Sequence, residues 1–143
     1  MKPLLLIAEG DAGLCEVYRS VLTQLGYEVE IARDGLDCLA KLRQRRPAVL
    51  VLDWELHWGG AAGVLACLRE QNEDWQVPVI LTETGEFSAD DPIDHDAPVR
   101  QVLAKPFTLS TLTECLNSTM ALSPNRPPYC RKDSKRQIEF VIG

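Results

Sequence analysis

The stretch AVLVLD, residues 48–53, is a run of apolar residues that ends on a single carboxylate, Asp53. A solid apolar run of this length predicts a β-strand that is buried on both faces, as in a parallel sheet. Similar runs are LLLIA at residues 4–8 and VPVIL at residues 77–81, and a weaker strand is predicted over residues 99–104. We therefore expect a parallel β-sheet at the centre of the chain.

Helical periodicity separates these strands. Apolar residues recur at three- and four-residue spacing in four stretches, which predict helices over about 14–25, 36–46, 61–70 and from about 108 onward. Gly26 ends the first helix, and a left-handed cap conformation is expected there. Pro47 terminates the second helix, in which three leucines are expected to face inward: Leu36, Leu39 and Leu42. An alternating strand, residues 27–32, lies between these two helices.

Strands that alternate with helices imply βαβ units, right-handed crossovers and a parallel sheet with helices on both faces. In such sheets, ligands bind outside the carboxyl ends of the strands. The residues at these ends are polar: Glu9, Asp11, Asp53, Thr82 and Lys105. This set suits phosphoryl transfer, with an aspartate nucleophile, acids that hold a divalent cation, a hydroxyl for a phosphoryl oxygen and a neutralising lysine. Mg²⁺ is the expected cation, because it prefers oxygen ligands and retains several waters.

The chain from about residue 3 to 122 resembles the receiver domains of two-component response regulators, through the segments LLLIAEGD, AVLVLDWEL, VPVILTE and VLAKPF. The resemblance implies an α/β, flavodoxin-like, doubly wound sheet of five parallel strands in the order 2-1-3-4-5, with helices on both faces. It implies that Asp53 is the phosphoacceptor, Thr82 the switch hydroxyl and Lys105 the cation that contacts the phosphoryl group. The metal ligands implied are Glu9, Asp11, Asp53 and the backbone carbonyl of Glu55.

Taken singly, these residues have ordinary structural interpretations. An aspartate after a strand is more often a helix cap or a turn residue, a threonine is a common strand residue, and a lysine is usually a surface charge. Only the combination of Asp53, Thr82 and Lys105 at receiver-like separations is specific.

Three departures from the family pattern affect the site directly. Receivers usually carry two adjacent acids after the first strand, and the second of these positions is Gly10 here, so a direct metal ligand is missing and Mg²⁺ affinity should fall. Glu83 stands where receivers prefer a small residue, and we expect it to crowd the pocket and repel a phosphoryl group. Val102 replaces the aromatic residue that turns inward on activation, so any switch must differ.

Two segments near the site are also unusual. In the loop after Asp53, Trp54 and Trp58 flank His57, which suggests contact with a partner protein, with packing of the aromatic side chains as the alternative. His57 alone is a poor candidate for a metal ligand. Residues 83–98 are acidic and contain prolines, so a short or distorted helix or a solvated loop is expected there. The alternative for that segment is a docking surface for a basic partner.

Bulk composition limits the classes of protein. A chain of 143 residues with 45% hydrophobic residues fits one domain, and its net charge of −6 argues against direct binding to nucleic acid. The sequence has no membrane segment, and its five scattered cysteines form no CxxC pair, which favours a reducing, cytoplasmic location over a zinc site. Residues 1–122 are expected to form the receiver domain and residues 123–143 a Pro-rich linker and basic C-terminal tail. The tail could be disordered, add to a sheet edge, or reach a partner or a second subunit.

Two functions remain open. The first is a receiver that accepts a phosphoryl group on Asp53 from a histidine kinase or phosphotransfer protein and signals to a downstream protein by contact, with a homodimer left open. The second is a pseudo-receiver, an interaction module with weak or no Mg²⁺-dependent phosphorylation. In neither case is the chain an enzyme beyond catalysing its own phosphorylation and dephosphorylation. A flavin-binding or hydrolytic protein is disfavoured, because there is no Gly-rich phosphate loop and no GxSxG motif.

Overall fold

The computed structural model describes residues 2–58, 60–71, 76–84, 98–121, 131–132 and 141–142. Its main sheet contains β1 (Leu4–Ala8), β2 (Glu28–Ala32), β3 (Val49–Asp53), β4 (Val79–Glu83) and β5 (Val99–Ala104). These strands are parallel and lie in the order β2-β1-β3-β4-β5. The expected flavodoxin-like order 2-1-3-4-5 is therefore confirmed.

Helices cover both faces of this sheet: α1 (Ala12–Gln24), α2 (Gly35–Gln44), α3 (Gly60–Arg69) and α4 (Leu109–Ala121). One core, which we call the α2–α3 core, contains Leu6, Leu50 and Leu81 together with apolar residues of α2 and α3. The other, the α1–α4 core, contains residues that alternate with these, such as Val51 and Ile80. Each central strand is buried on both faces, which explains why its sequence is a solid apolar run.

Local sequence signals fix the helix ends. Asp11 is the N-cap of α1, and its Oδ1 accepts the backbone N–H of Leu14 at 2.9 Å. Asp34 caps α2 in the same way, with Oδ1 accepting the N–H of Asp37 at 2.8 Å. Such caps contribute roughly 1 kcal/mol each. Gly26 has φ 96° after the end of α1, which confirms the expected left-handed conformation.

The predicted inward orientation of Leu36 is wrong, because this side chain is 63% exposed. The inward stripe of α2 is instead Gly35, Cys38, Leu39 and Leu42, at i, i+3, i+4 and i+7. Leu36 follows Gly35 and therefore lies about 100° around the helix from that stripe. The small buried residues Gly35 and Cys38 are less conspicuous in the sequence than the leucine between them.

The C-terminal tail contributes two short strands. β7 (Arg131–Lys132) pairs in parallel with the edge strand β5, and β8 (Val141–Ile142) pairs antiparallel with β6 (Phe107–Thr108). Of the alternatives for the tail, addition to a sheet edge therefore applies to β7, whereas β8 forms a separate two-stranded sheet with β6. The predicted boundary at residues 122/123, the linker that follows it and residues 85–97 of the acidic segment lie outside the described residues. Within the described ranges, no helix is long and apolar enough to span a bilayer.

The loop after β3 contains a strained backbone position. Trp58 has φ 53° and is 74% exposed, so it occupies the left-handed region without packing that would compensate. Asparagine tolerates this region better than a bulky aromatic residue. We expect Trp58→Asn to raise the free energy of unfolding by up to about 1 kcal/mol, measured by urea denaturation. Trp54→Asn is the comparison, since Trp54 packs against the α2–α3 core and its replacement should destabilise the fold. A clear loss of stability in Trp58→Asn would contradict the assignment of strain.

Candidate functional site

The carboxyl ends of the central strands bring three of the predicted site residues into contact. Lys105 Nζ lies 3.1 Å from Glu9 Oε2 and 3.6 Å from Asp53 Oδ1. The side chains are nearly buried, with 10% exposure for Lys105, 5% for Glu9 and 9% for Asp53. One cation thus faces two carboxylates, and with all three groups ionised the cluster keeps a net negative charge.

Backbone hydrogen bonds fix the position of these residues. Asp53 is the register partner of Thr82, and the N–H of Trp54 donates to Thr82 O at 2.8 Å. The N–H of Glu55 donates to Asp53 Oδ1 at 3.2 Å, which orients the carboxylate. The N–H of Lys105 donates to Glu83 O at 2.7 Å, which ties the end of β5 to β4. Site geometry therefore follows from the register of the sheet.

Glu9 is a nearly buried carboxylate whose ionisation is affected by both of its charged neighbours. Burial raises the pKa of Glu9 above its ordinary value, Lys105 opposes this rise, and the charge of Asp53 adds to it. Oε1 of Glu9 accepts the N–H of Asp11 at 3.3 Å, while Oε2 faces Lys105. Both oxygens of Glu9 therefore have a donor, and the pair with Lys105 offsets the cost of burial.

Thr82 lies beside this cluster with an unsatisfied hydroxyl. The residue is 1% exposed, and its Oγ1 has no hydrogen-bond partner among the described residues. A buried hydroxyl without a partner costs about 1–3 kcal/mol, so a hydroxyl kept here needs an explanation. An oxygen of a bound group would supply the missing partner, which fits the role expected for Thr82.

An open cleft of about 780 Å³ leads to the cluster, and its lining includes Glu9, Gly10, Asp11, Asp53, Glu55, His57, Thr84 and Lys105. Thr84 was not predicted from the sequence. Its Oγ1 donates to Glu55 Oε1 at 2.8 Å, and this hydrogen bond orders the rim of the cleft. Glu83 does not line this cleft in the part of the chain that the structure describes. Alternation along β4 places Glu83 on the sheet face opposite Thr82, and the expected crowding of the pocket by Glu83 stays a prediction.

The expected metal ligands are only partly brought together. Glu9 and Asp53 both contact Lys105 and therefore lie close together. Asp11, in contrast, is exposed, and its Oδ1 caps α1. Gly10 supplies no carboxylate, and its carbonyl accepts a hydrogen bond from Arg33 Nη2 at 2.9 Å. Within the described ranges, no group of three or more His, Cys, Asp or Glu side chains is placed to hold a metal ion.

The residues present nevertheless fit a Mg²⁺ ion that is bound by few protein ligands and completes its coordination with water. Mg²⁺ in phosphoryl-transfer sites is usually held by one or two carboxylates and keeps several waters. Glu9 and Asp53 meet that minimum, and both line the open cleft. The roles of Asp11 and of the Glu55 carbonyl as further ligands remain predictions.

Comparison with curated proteins places the chain among response regulators. The "Phosphate regulon transcriptional regulatory protein PhoB" of Rhizobium meliloti (strain 1021) is 33% identical over 136 residues, covering 80% of this chain and 59% of that protein. The "Response regulator MprA" of Mycobacterium bovis (strain BCG / Pasteur 1173P2) is 30% identical over 112 residues, covering 78% of this chain and 48% of that protein. The chain thus spans about half the length of the curated relatives it matches.

Solved structures show the same fold. The chemotaxis response regulator CheY4 of Vibrio cholerae superposes with a TM-score of 0.74 at 25% identity, covering 83% of this chain and 99% of that one. A putative response regulator from Chloroflexus aurantiacus J-10-fl gives a TM-score of 0.76 at 23% identity, covering 85% of this chain and all of that one.

The family model for the response regulator receiver domain matches residues 5–117, which include every residue of the cluster and the cleft. Phosphorylation and Mg²⁺ binding at an acidic pocket are typical of this family, whose members interact with histidine kinases or phosphotransfer proteins. From the extent of this match and the order of its strands, the chain belongs to the receiver domains of two-component response regulators.

Proposed function

We propose that this receiver accepts a phosphoryl group on Asp53 from a phosphohistidine of a histidine kinase or phosphotransfer protein. An oxygen of Asp53 attacks phosphorus, the P–N bond of the phosphohistidine breaks, and an acyl phosphate forms on Asp53. The observation that supports this most is the nearly buried cluster of Glu9, Asp53 and Lys105 at the base of an open cleft. A nucleophile, a counter-charge and access for the donor therefore coincide.

Each neighbouring group has a part in this transfer. Lys105 Nζ, 3.6 Å from Asp53 Oδ1, offsets the charge that the phosphoryl group brings into the pocket. The unpaired hydroxyl of Thr82 donates to a phosphoryl oxygen. A bound Mg²⁺ would supply further neutralisation of negative charge. Glu9 and Asp53 would hold it, with Asp11 and the backbone carbonyl of Glu55 as the further ligands expected from the family.

Output by protein contact is the second part of the proposal. Val102 is fully buried and replaces the family's aromatic switch residue, so phosphorylation must be communicated in another way. The exposed side chains of Trp58 and Leu36 provide a surface for a downstream protein. The loop that contains Trp58 is joined to the first turn of α2, which contains Leu36, because the N–H of Gly35 donates to His57 O at 2.9 Å. This surface adjoins the cleft, since His57 also lines it.

The cellular location of the protein and the kind of partner it binds are also part of the proposal. Cys15, Cys38, Cys67 and Cys115 are free thiols, which supports a cytoplasmic location. The net charge of −6 supports output by protein partners without direct contact to nucleic acid, and a homodimer stays open.

Incubation with acetyl phosphate and Mg²⁺, followed by intact mass measurement, tests the transfer. We expect a single phosphoryl adduct on the wild-type chain and none on Asp53→Asn, since an amide cannot form the acyl phosphate. Asp11→Asn is a useful comparison, because it alters a nearby carboxylate of the cleft without removing the nucleophile. Absence of the adduct from the wild-type chain at every Mg²⁺ concentration would refute the proposal.

That refuting outcome would instead support the pseudo-receiver, an interaction module that uses the same surfaces without phosphorylation. Gly10 favours this second function, because the pocket then has two neighbouring carboxylates, Glu9 and Asp53, where the family usually has three. Retention of Asp53 and Lys105 at one cleft, with Thr82 as the register partner of Asp53, makes it the weaker of the two.

A further inference from the structure

Tyr18 is a fully buried residue of α1 whose hydroxyl has no assigned role. It has 0% exposure and belongs to the α1–α4 core. Its hydroxyl oxygen has no hydrogen-bond partner among the described residues. A phenylalanine would fill nearly the same volume without an unpaired polar group, so packing alone does not account for a tyrosine at this position.

The fold places Tyr18 beneath the cluster of Glu9, Asp53 and Lys105. Within the α1–α4 core it is grouped with Ile7, Val51 and Ile80. These residues lie two positions before Glu9, Asp53 and Thr82, respectively, and therefore share their face of the sheet. Tyr18 is therefore buried in the core on the same face of the sheet as the cluster.

The direction of α1 points the side chain toward the pocket. The helix begins at the cleft, where Asp11 caps it, and long side chains in helices lean toward the helix N-terminus. Cys15, one turn earlier on the same side of α1, reaches the pocket wall, since its Sγ donates to Glu9 O at 3.2 Å. A tyrosine at position 18 is long enough to extend in the same direction.

Electrostatics agree with this placement. Burial raises the pKa of Tyr18 most, and the charges of Glu9 and Asp53 raise it further. The phenol therefore stays neutral and keeps its proton, so its O–H is a donor for which nearby carboxylates are the natural acceptors.

We propose that Tyr18 is a positioning residue of the phosphoacceptor pocket, whose hydroxyl donates a hydrogen bond to one buried water that in turn donates to the carboxylates of Glu9 and Asp53. A neutral donor stabilises these carboxylates without introducing a cation that competes with Mg²⁺. It also orients Asp53 for attack on a phosphoryl group, and in this respect the inference rests on the proposed function.

The variant Tyr18→Phe removes only the hydroxyl, and Tyr27→Phe is its matched control. Tyr27 lies in the same core with 8% exposure, but its hydroxyl donates to Asn117 Oδ1 at 3.4 Å. We expect Tyr18→Phe to slow phosphorylation by acetyl phosphate and Mg²⁺ about tenfold, as for the loss of one hydrogen bond to a charged group. Its melting temperature should fall by a few degrees, because one buried hydrogen bond is lost, and Tyr27→Phe should phosphorylate normally.

A second measurement on the full-length chain does not depend on phosphorylation. The ¹³Cζ NMR signal of Tyr18, assigned from its loss in Tyr18→Phe, reports the hydrogen bonding of its hydroxyl. We expect it to move in Asp53→Asn and in Glu9→Gln, while the Tyr27 signal stays in place. If the wild-type chain takes no phosphoryl group, the proposed function fails, and this signal alone decides the role of Tyr18.

Two results would overturn the inference. One is a Tyr18→Phe variant that phosphorylates at the wild-type rate. The other is a Tyr18 signal that is unchanged when either pocket carboxylate is neutralised. Either would leave Tyr18 as a packing residue of the core.

Discussion

Lys105→Met should lower the free energy of unfolding by about 3–5 kcal/mol in EDTA, because it leaves two nearly buried carboxylates without their cation. Lys105 Nζ faces Glu9 at 3.1 Å and Asp53 at 3.6 Å, and methionine keeps most of the side-chain volume without the charge. A domain of this size has only about 5–15 kcal/mol of stability in total, so the loss should be plain in urea denaturation.

The loss in Lys105→Met should depend on pH. Burial raises the pKa of Glu9 above its ordinary value of 4.5, and Lys105 opposes that rise, so removal of the lysine raises the pKa further. A carboxyl with a raised pKa in the folded state contributes stability below its unfolded pKa and loses it as pH rises through the folded value. The difference in the free energy of unfolding between Lys105→Met and the wild type should therefore be smallest below about pH 4.5 and grow toward neutral pH.

Two controls separate this effect from a general loss of charge. Arg45→Met removes a cation from an exposed pair with Glu28, and exposed pairs contribute little, so its stability should change only slightly. The double variant Glu9→Gln, Lys105→Met should recover part of the loss, because the more constrained carboxylate is gone. A Lys105→Met variant as stable as the wild type at neutral pH would show that the buried ion pairs do not form.

The fold was largely predictable from the sequence because its central strands are buried on both faces. The apolar runs ending at Ala8 and Asp53 leave little choice but a parallel sheet, and alternating helices then fix the layers. The orientation of Leu36 was not predictable in the same way. Gly35 and Cys38 form the buried stripe with the later leucines, and small residues carry a weak hydrophobic signal.

The site was predictable as a set of strand ends but not as a set of contacts. Strand order brings Glu9, Asp53 and Lys105 to one edge, yet the sequence does not say that the lysine lies between the two acids. The sequence also places Glu83 next to Thr82, whereas strand alternation directs the two side chains to opposite faces of the sheet. Tyr18 was overlooked because it fits the apolar stripe of α1, and only the structure reveals an unpaired hydroxyl.

Gly10→Asp is expected to tighten Mg²⁺ binding on the order of ten- to a hundredfold, because it supplies the carboxylate that the family usually has at this position. The backbone can accept the change. A Cβ on Gly10 would lie 3.6 Å from Arg33 O, which is an ordinary van der Waals contact, and Gly10 is not among the positive-φ glycines. Titration followed by the fluorescence of Trp54, which directly follows Asp53, measures the affinity.

The same substitution should reverse its effect on stability when Mg²⁺ is added. In EDTA, a third carboxylate beside Glu9 and Asp53 adds like charge to a cluster with a single lysine, so the melting temperature should fall. With Mg²⁺ well above its dissociation constant, binding to the folded state alone should restore or exceed the wild-type melting temperature. Gly10→Asn has a similar volume without the charge and should show neither effect. Equal Mg²⁺ affinity in Gly10→Asp and the wild type would mean that metal binding is limited elsewhere, with Asp11 at the cap of α1 the next position to test.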